Sequence, residues 1–107
     1  MTTFDKREEG FEAKFAHDEE LMFKATARRN KLLGLWAAEK LGISGAEADA
    51  YARELVRADM GKGGDGDVFA KIRDDFNIKK VLQSDHQIRR TMDELLQKAA
   101  EQIRTDG

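Results

Sequence analysis

The stretch "ATARRNKLLGLWAAEKLG", residues 25–42, decides the fold. Ala25, Arg28/Arg29, Leu32, Leu35/Trp36 and Ala38/Glu39 recur at three- and four-residue steps, the period of an amphipathic helix. The apolar members form one face and the basic members its flank. Gly42 is a C-terminal stop, and Lys40 stands in the last turn, where a cation suits the helix dipole. Upstream the same periodicity continues to Phe4, so the first helix is expected over residues 4–41.

Downstream, Ser44 and Glu47 form a capping-box pair. They open a second helix with Ala48, Tyr51/Ala52, Leu55 and Val56 on its buried stripe. It ends near Met60 at "GKGGDGD", residues 61–67, where four glycines in seven positions predict a turn. Asp65 or Asp67 is expected to cap a short third helix bearing Val68, Phe69, Ile72 and Phe76. A connector with Ile78, Val81 and Leu82 leads to Ser84, whose capping-box partner is Gln87. The fourth helix carries Ile88, Met92, Leu95/Leu96, Ala99 and Ile103. Asp85–Arg89, Arg89–Asp93, Arg90–Glu94 and Glu94–Lys98 stand four residues apart on it, each pair worth about 0.2–0.5 kcal/mol. No strand pattern interrupts the series. The expected fold is an all-α four-helix bundle with a long first helix whose N-terminal arm is mobile or overhanging.

Composition supports one helical domain. The 107 residues include 37% charged and 40% hydrophobic positions, with no Pro to break a helix. A formal net charge of −2 gives no bulk attraction to nucleic acid or anionic lipid. With no Cys, disulfides and thiolate chemistry are excluded. No apolar run reaches the length of a membrane span and no signal-peptide segment appears, so a soluble cytoplasmic protein is expected.

Lengths isolate the unusual part of the chain. At about 1.5 Å per residue a helix over residues 4–41 spans about 57 Å, against roughly 30 Å for the fourth helix. The excess is about 18 residues, close to "FDKREEGFEAKFAHDEE", residues 4–20. On a helix Phe4, Phe11, Phe15 and Met22 fall within about 40° of one another, a narrow aromatic stripe on an otherwise polar surface. Such a stripe suits a helix lying in a partner's groove. The other reading is that the arm folds back and its Phe residues join the core. Burying three Phe yields about 5–9 kcal/mol. Ordering some 15 residues costs on the order of 15–30 kcal/mol of backbone entropy. The arm is therefore expected to fray when free and to become helical against a partner. Gly10 weakens it further. Residues 1–20 hold seven acids and three bases, whereas residues 24–40 hold five bases and one acid.

Catalytic constellations are missing. His17 and His86 lack a second His at i+3 or i+4, so no metal site is expected. "GKGGDG" lacks the spacing and Ser/Thr of a P-loop, and "DGD" has too few ligands for calcium. The chain is read as a non-enzyme.

Four blocks, "FEAKFAHDEE" (11–20), "ARRNKLLGLWAAEKLG" (27–42), "GAEADAYA" (45–52) and "SDHQIRRTMDELL" (84–96), resemble the zeta subunit family of bacterial F-type ATP synthase inhibitors. The resemblance runs the length of the chain. It implies a bundle, residues 21–107, that anchors an N-terminal inhibitory arm, residues 1–20. The arm would insert at a catalytic interface of the ATPase head and block the hydrolytic direction of rotation while hindering synthesis much less. The implied partners are the alpha, beta and gamma subunits of the head, with the protein monomeric when free and peripheral to the inner membrane through the synthase. Carried onto this chain, Phe4, Phe11 and Phe15 are the proposed anchors, with Arg7, Glu8, Glu12 and Lys14 as flanking polar contacts. Leu32, Leu35, Trp36, Tyr51, Leu55, Ile88, Met92 and Leu95 would form the core. His17, beside carboxylates, is a candidate pH modulator. No cofactor is expected. Weak adenine-nucleotide binding is suggested for some members, but no motif here marks a site. Gly10 and the loose "GKGGDG" loop depart from the family pattern. Two other classes stay open: a helical adaptor with the arm as a passive tail, and a nucleotide-sensing bundle.

Overall fold

The computed structural model describes residues 19–59 and 64–106. These fold as four helices: α1 (Glu19–Leu41), α2 (Gly45–Asp59), α3 (Asp65–Lys79) and α4 (Asp85–Asp106), with no strand among the described residues. The expected all-α bundle is the one found. Helix α1 spans about 35 Å at 1.5 Å per residue. The part of the first helix expected over residues 4–18 lies outside the described residues.

Short connections make consecutive helices antiparallel, and α1 packs most extensively on α2 and α4. The main core joins Leu33, Ala37 and Ala38 of α1 to Tyr51 and Leu55 of α2, Val68, Ile72 and Phe76 of α3, and Ile88 and Met92 of α4. Trp36 lies 5.7 Å, centroid to centroid, from Phe76 in a tilted arrangement. A smaller cluster, Ala25 with Ala100 and the flanking Leu21, Leu96 and Ile103, zips the start of α1 to the end of α4.

Being wedged between two helices corrects the predicted face of α1. Its buried side is Ala25, Arg29, Asn30, Leu33, Gly34, Ala37 and Ala38, while Leu32, Leu35 and Trp36 are half-buried. Small residues dominate it because α2 comes close. A Cβ on Gly34 would stand 2.5 Å from the Ala52 Cα. Tyr51, Leu55, Ile88 and Met92 are core as expected, and Leu95 packs at its edge.

The C-terminus of α1 and the N-terminus of α4 follow the sequence signals, whereas α3 departs from them at both ends. Gly42 at φ 77° terminates α1, and the Ile43 N–H donates to the Ala38 carbonyl at 2.8 Å. Lys80 does the same for α3 at φ 59°, with Val81 N–H on the Phe76 carbonyl at 2.8 Å. The box at α4 is reciprocal: Ser84 N–H to Gln87 Oε1 at 2.9 Å, and Gln87 N–H to Ser84 Oγ at 3.1 Å. Helix α3 differs from expectation. Its N-cap is Gly64, with no side-chain cap, and Asp65, Gly66 and Asp67 are already helical. The Asp65 carboxylate is occupied elsewhere, by Arg29. Ile78 likewise belongs to α3, not to a connector. On α4, Arg90–Glu94 forms at 2.9 Å. Asp85 instead pairs with Arg73 of α3 at 2.9 Å, and Arg89 lies 4.0 Å from the Phe69 ring centroid.

Candidate functional site

Each sequence-predicted site residue, Phe4, Arg7, Glu8, Phe11, Glu12, Lys14, Phe15 and His17, lies outside the described residues. What the structure defines is the seat on which that segment is mounted, the first turns of α1 and the helix ends around them.

That seat is apolar on one side. Met22, Phe23, Thr26 and Ala27 on α1 face Val56 and Asp59 on α2 across an open groove of about 360 Å³, with Glu19 at its mouth. The α1 residues recur at three- and four-residue steps, which puts them on one face of that helix. Phe23 is 63% exposed and Met22 38% exposed, so this helix start leaves large apolar side chains uncovered.

Beneath the groove, a charged knot ties three helices together. Arg29 is only 2% exposed, although the sequence suggests a solvated basic flank. Its Nη2 donates to Asp65 Oδ1 at 2.6 Å, its Nη1 to Asp65 Oδ2 at 3.4 Å and its Nε to Asn30 Oδ1 at 2.8 Å. Asp59, which also lines the groove, stands 4.0 Å from the same guanidinium. A buried guanidinium needs such a shell, because an unpaired buried charge costs several kcal/mol. The signal was present in the sequence: Arg29 continues the i+4 series Ala25, Leu33, Ala37, which is the buried one. The knot holds the end of α2 and the start of α3 against α1.

The two carboxylates differ in their acid–base balance. Hydrogen bonding from Arg29 holds Asp65 below the ordinary carboxylate value, outweighing its partial burial. Burial pushes Asp59 above it, reinforced by the Asp65 charge and only partly offset by the Asn30 amide and Arg29. The signs give opposite pH windows. A raised folded-state value means that Asp59 destabilises the fold at neutral pH, and stability rises as pH falls through that raised value towards 3.8, the unperturbed value. Asp65 contributes stability above 3.8 that is lost at lower pH. Asp59→Asn is therefore expected to raise the melting temperature at pH 7 and to flatten its rise between neutrality and about pH 4. Melting curves of both proteins across that range check it.

A second polar group decorates α2 and α3. The Tyr51 hydroxyl donates to Asp75 Oδ2 at 2.7 Å, and Lys71 bridges Asp75 and Glu54, each at 3.2 Å. Burial, then the Asp75 hydrogen bond, pushes the Tyr51 phenol far above its usual range, so it acts as a permanent donor and brace. Among the described residues no group of three or more His, Cys, Asp or Glu is placed to hold a metal ion. No described helix is long and apolar enough to cross a membrane. The described residues thus offer a helical bundle with an uncovered apolar groove between α1 and α2.

Comparison with known proteins places this geometry. The family described as ATPase inhibitor subunit zeta matches residues 1–102. A solved structure, determined by solution NMR, is 42% identical with a TM-score of 0.71. It covers 81% of this chain and 99% of its own. No curated protein matches.

Proposed function

Because the chain belongs to the family of ATPase inhibitor zeta subunits, we propose that it inhibits ATP hydrolysis by a bacterial F-type ATP synthase through its N-terminal arm. Residues 1–20 are the inhibitory arm and residues 21–107 the anchoring bundle. The arm orders as a helix at a catalytic interface of the head, between alpha and beta subunits and near gamma. Phe4, Phe11 and Phe15 fill apolar pockets, while Arg7, Glu8, Glu12 and Lys14 pair at the rim. Inhibition is steric: the wedged interface cannot cycle, and the inhibitor performs no chemistry. Rotation in the synthesis direction ejects the arm.

The observation that carries this reading is the extent of the family match, which begins at residue 1 and so takes in the arm with its Phe stripe. The structure supports it by supplying a rigid mount. The arm joins α1 directly, and α1 is clamped on both flanks and pinned by Arg29. A helix that extends an existing one avoids the nucleation penalty, so a partner's groove needs only to propagate α1.

The test uses inverted membrane vesicles carrying a cognate ATP synthase. Added protein is expected to suppress ATP hydrolysis while proton-driven ATP synthesis in the same vesicles falls far less. Equal loss in both directions would remove the directional part of the proposal. No effect on hydrolysis would remove the proposal itself.

A further inference from the structure

The uncovered groove between α1 and α2 is apolar and acidic at once. We propose that it docks an apolar segment of the ATPase head that carries a lysine or arginine, so that the bundle grips the head beside the arm. This rests on the reading of residues 1–20 as the inhibitory arm.

Charge selects the chemistry of the occupant. Among the described residues, the groove's lining includes two carboxylates, Glu19 and Asp59, and no Lys or Arg. Arg29, the cation beside Asp59, commits its fork to Asp65 and Asn30 and stays 4.0 Å from the Asp59 carboxylate. Burial raises the Asp59 carboxyl above its ordinary value, the mark of a charge that its surroundings do not fully balance. A partner cation entering the groove supplies that balance. Long basic side chains lay their stems on apolar surface while their heads reach a carboxylate, and Phe23 and Val56 provide that surface beside Asp59. A wholly apolar or acidic segment would instead leave Asp59 covered and unpaired, which is the costly arrangement. Shape agrees. Phe23, 63% exposed, lies on the α1 face that farther along buries Asn30 and Gly34. Helix α2 ends at Asp59, so the occupant takes up the packing against α1 where α2 stops.

Proximity makes the head the source of that segment. From Glu19 to Ala27 is about 12 Å of helix, so a surface that holds the arm to its root stands within reach of the groove. Once the arm is seated, this second contact is intramolecular. A contact too weak to hold the bundle alone then adds to the affinity of the whole chain. The arm blocks the catalytic interface, and the groove slows its release.

The test measures binding of the full-length chain to the isolated ATPase head, with ATP hydrolysis followed in the same samples. Because the protein has no Cys, a single Lys98→Cys change at an exposed position of α4 carries a fluorophore for anisotropy. Phe23→Ser is expected to weaken binding about tenfold, the factor that burial of one Phe accounts for. Asp59→Asn is expected to weaken it several-fold at low salt, and this difference from the native chain should shrink as salt rises. Asp59→Asn separates contact from fold, because it is expected to melt above the native chain at pH 7 and yet to bind more weakly. Either variant binding as tightly as the native chain would overturn the proposal, as would a head that binds none of the three. A benzophenone on Thr26→Cys identifies the occupant. It is expected to cross-link to a head segment with Lys or Arg among apolar residues. Cross-linking only to a second copy of the chain, or only within the chain, would overturn the proposal with the head present. Native-like binding and full inhibition by both variants would remove the groove contact and leave the arm reading standing. Groove-dependent binding without inhibition would defeat the arm reading and leave the docking intact.

Discussion

A chain carrying Phe11→Ala and Phe15→Ala together is expected to inhibit ATP hydrolysis at least a hundredfold more weakly than the native protein. Burying one Phe contributes about 1.5–3 kcal/mol, and each 1.4 kcal/mol is about a factor of ten in affinity. Two rings buried at the head therefore account for roughly 10² to 10⁴ in binding. Anchors of this kind dominate interfaces, with the flanking polar pairs contributing much less. Single replacements at Glu8 or Glu12 should accordingly cost only a few-fold. The double variant should melt with the native bundle, since the described core is built from residues 21–103. Titration of hydrolysis against each protein checks this. Equal potency would place the binding energy on the bundle and favour an adaptor.

Gly34→Leu is expected to cost the bundle about 3 kcal/mol or more and to lower its melting temperature by about 10–25 °C. At this position a Cβ would meet the Ala52 Cα at 2.5 Å, the Ala52 Cβ at 2.9 Å and the Leu55 Cδ1 at 3.2 Å. The nearest obstacle is backbone, so no rotamer change relieves it, and α1 must separate from α2. Even Gly34→Ala should destabilise, because the helix-propensity gain of about 1 kcal/mol does not offset an overpacking cost of about 1–3 kcal/mol. A domain of this size holds about 5–10 kcal/mol in all, so the Leu variant spends a large share of its stability. Thermal melts followed by circular dichroism measure it. A Leu variant as stable as the native chain would mean that the two helices are not in this close contact.

Gly34 also shows where the sequence was legible and where it was not. Helix number and most helix ends could be read directly, because Gly42, Ser84 and Gln87 act through their own backbone neighbours. Which face of α1 is buried could not be read that way. With helices on two sides, the stripe at Leu32 and Leu35 competes with Ala25, Leu33 and Ala37, and close approach favours the smaller set. In the sequence Arg29 reads as a solvated flank, because only tertiary structure supplies Asp65 across a gap of 36 positions. The same pairing explains why Asp65 does not cap α3. Of the arm, the sequence shows a stripe of Phe and a length that exceeds the bundle, and the family match extends across it. Its contacts on the ATPase head belong to a surface that is not in this chain.

Arm and bundle can be separated in one measurement. The full chain and a chain beginning at Glu19 are titrated side by side into the same cognate F-type ATPase while ATP hydrolysis is followed, after circular dichroism has shown that the shorter chain is folded. The expected result is inhibition by the full chain and none by the shortened one at the same concentrations. Equal inhibition by the two would contradict the assignment of inhibition to residues 1–18.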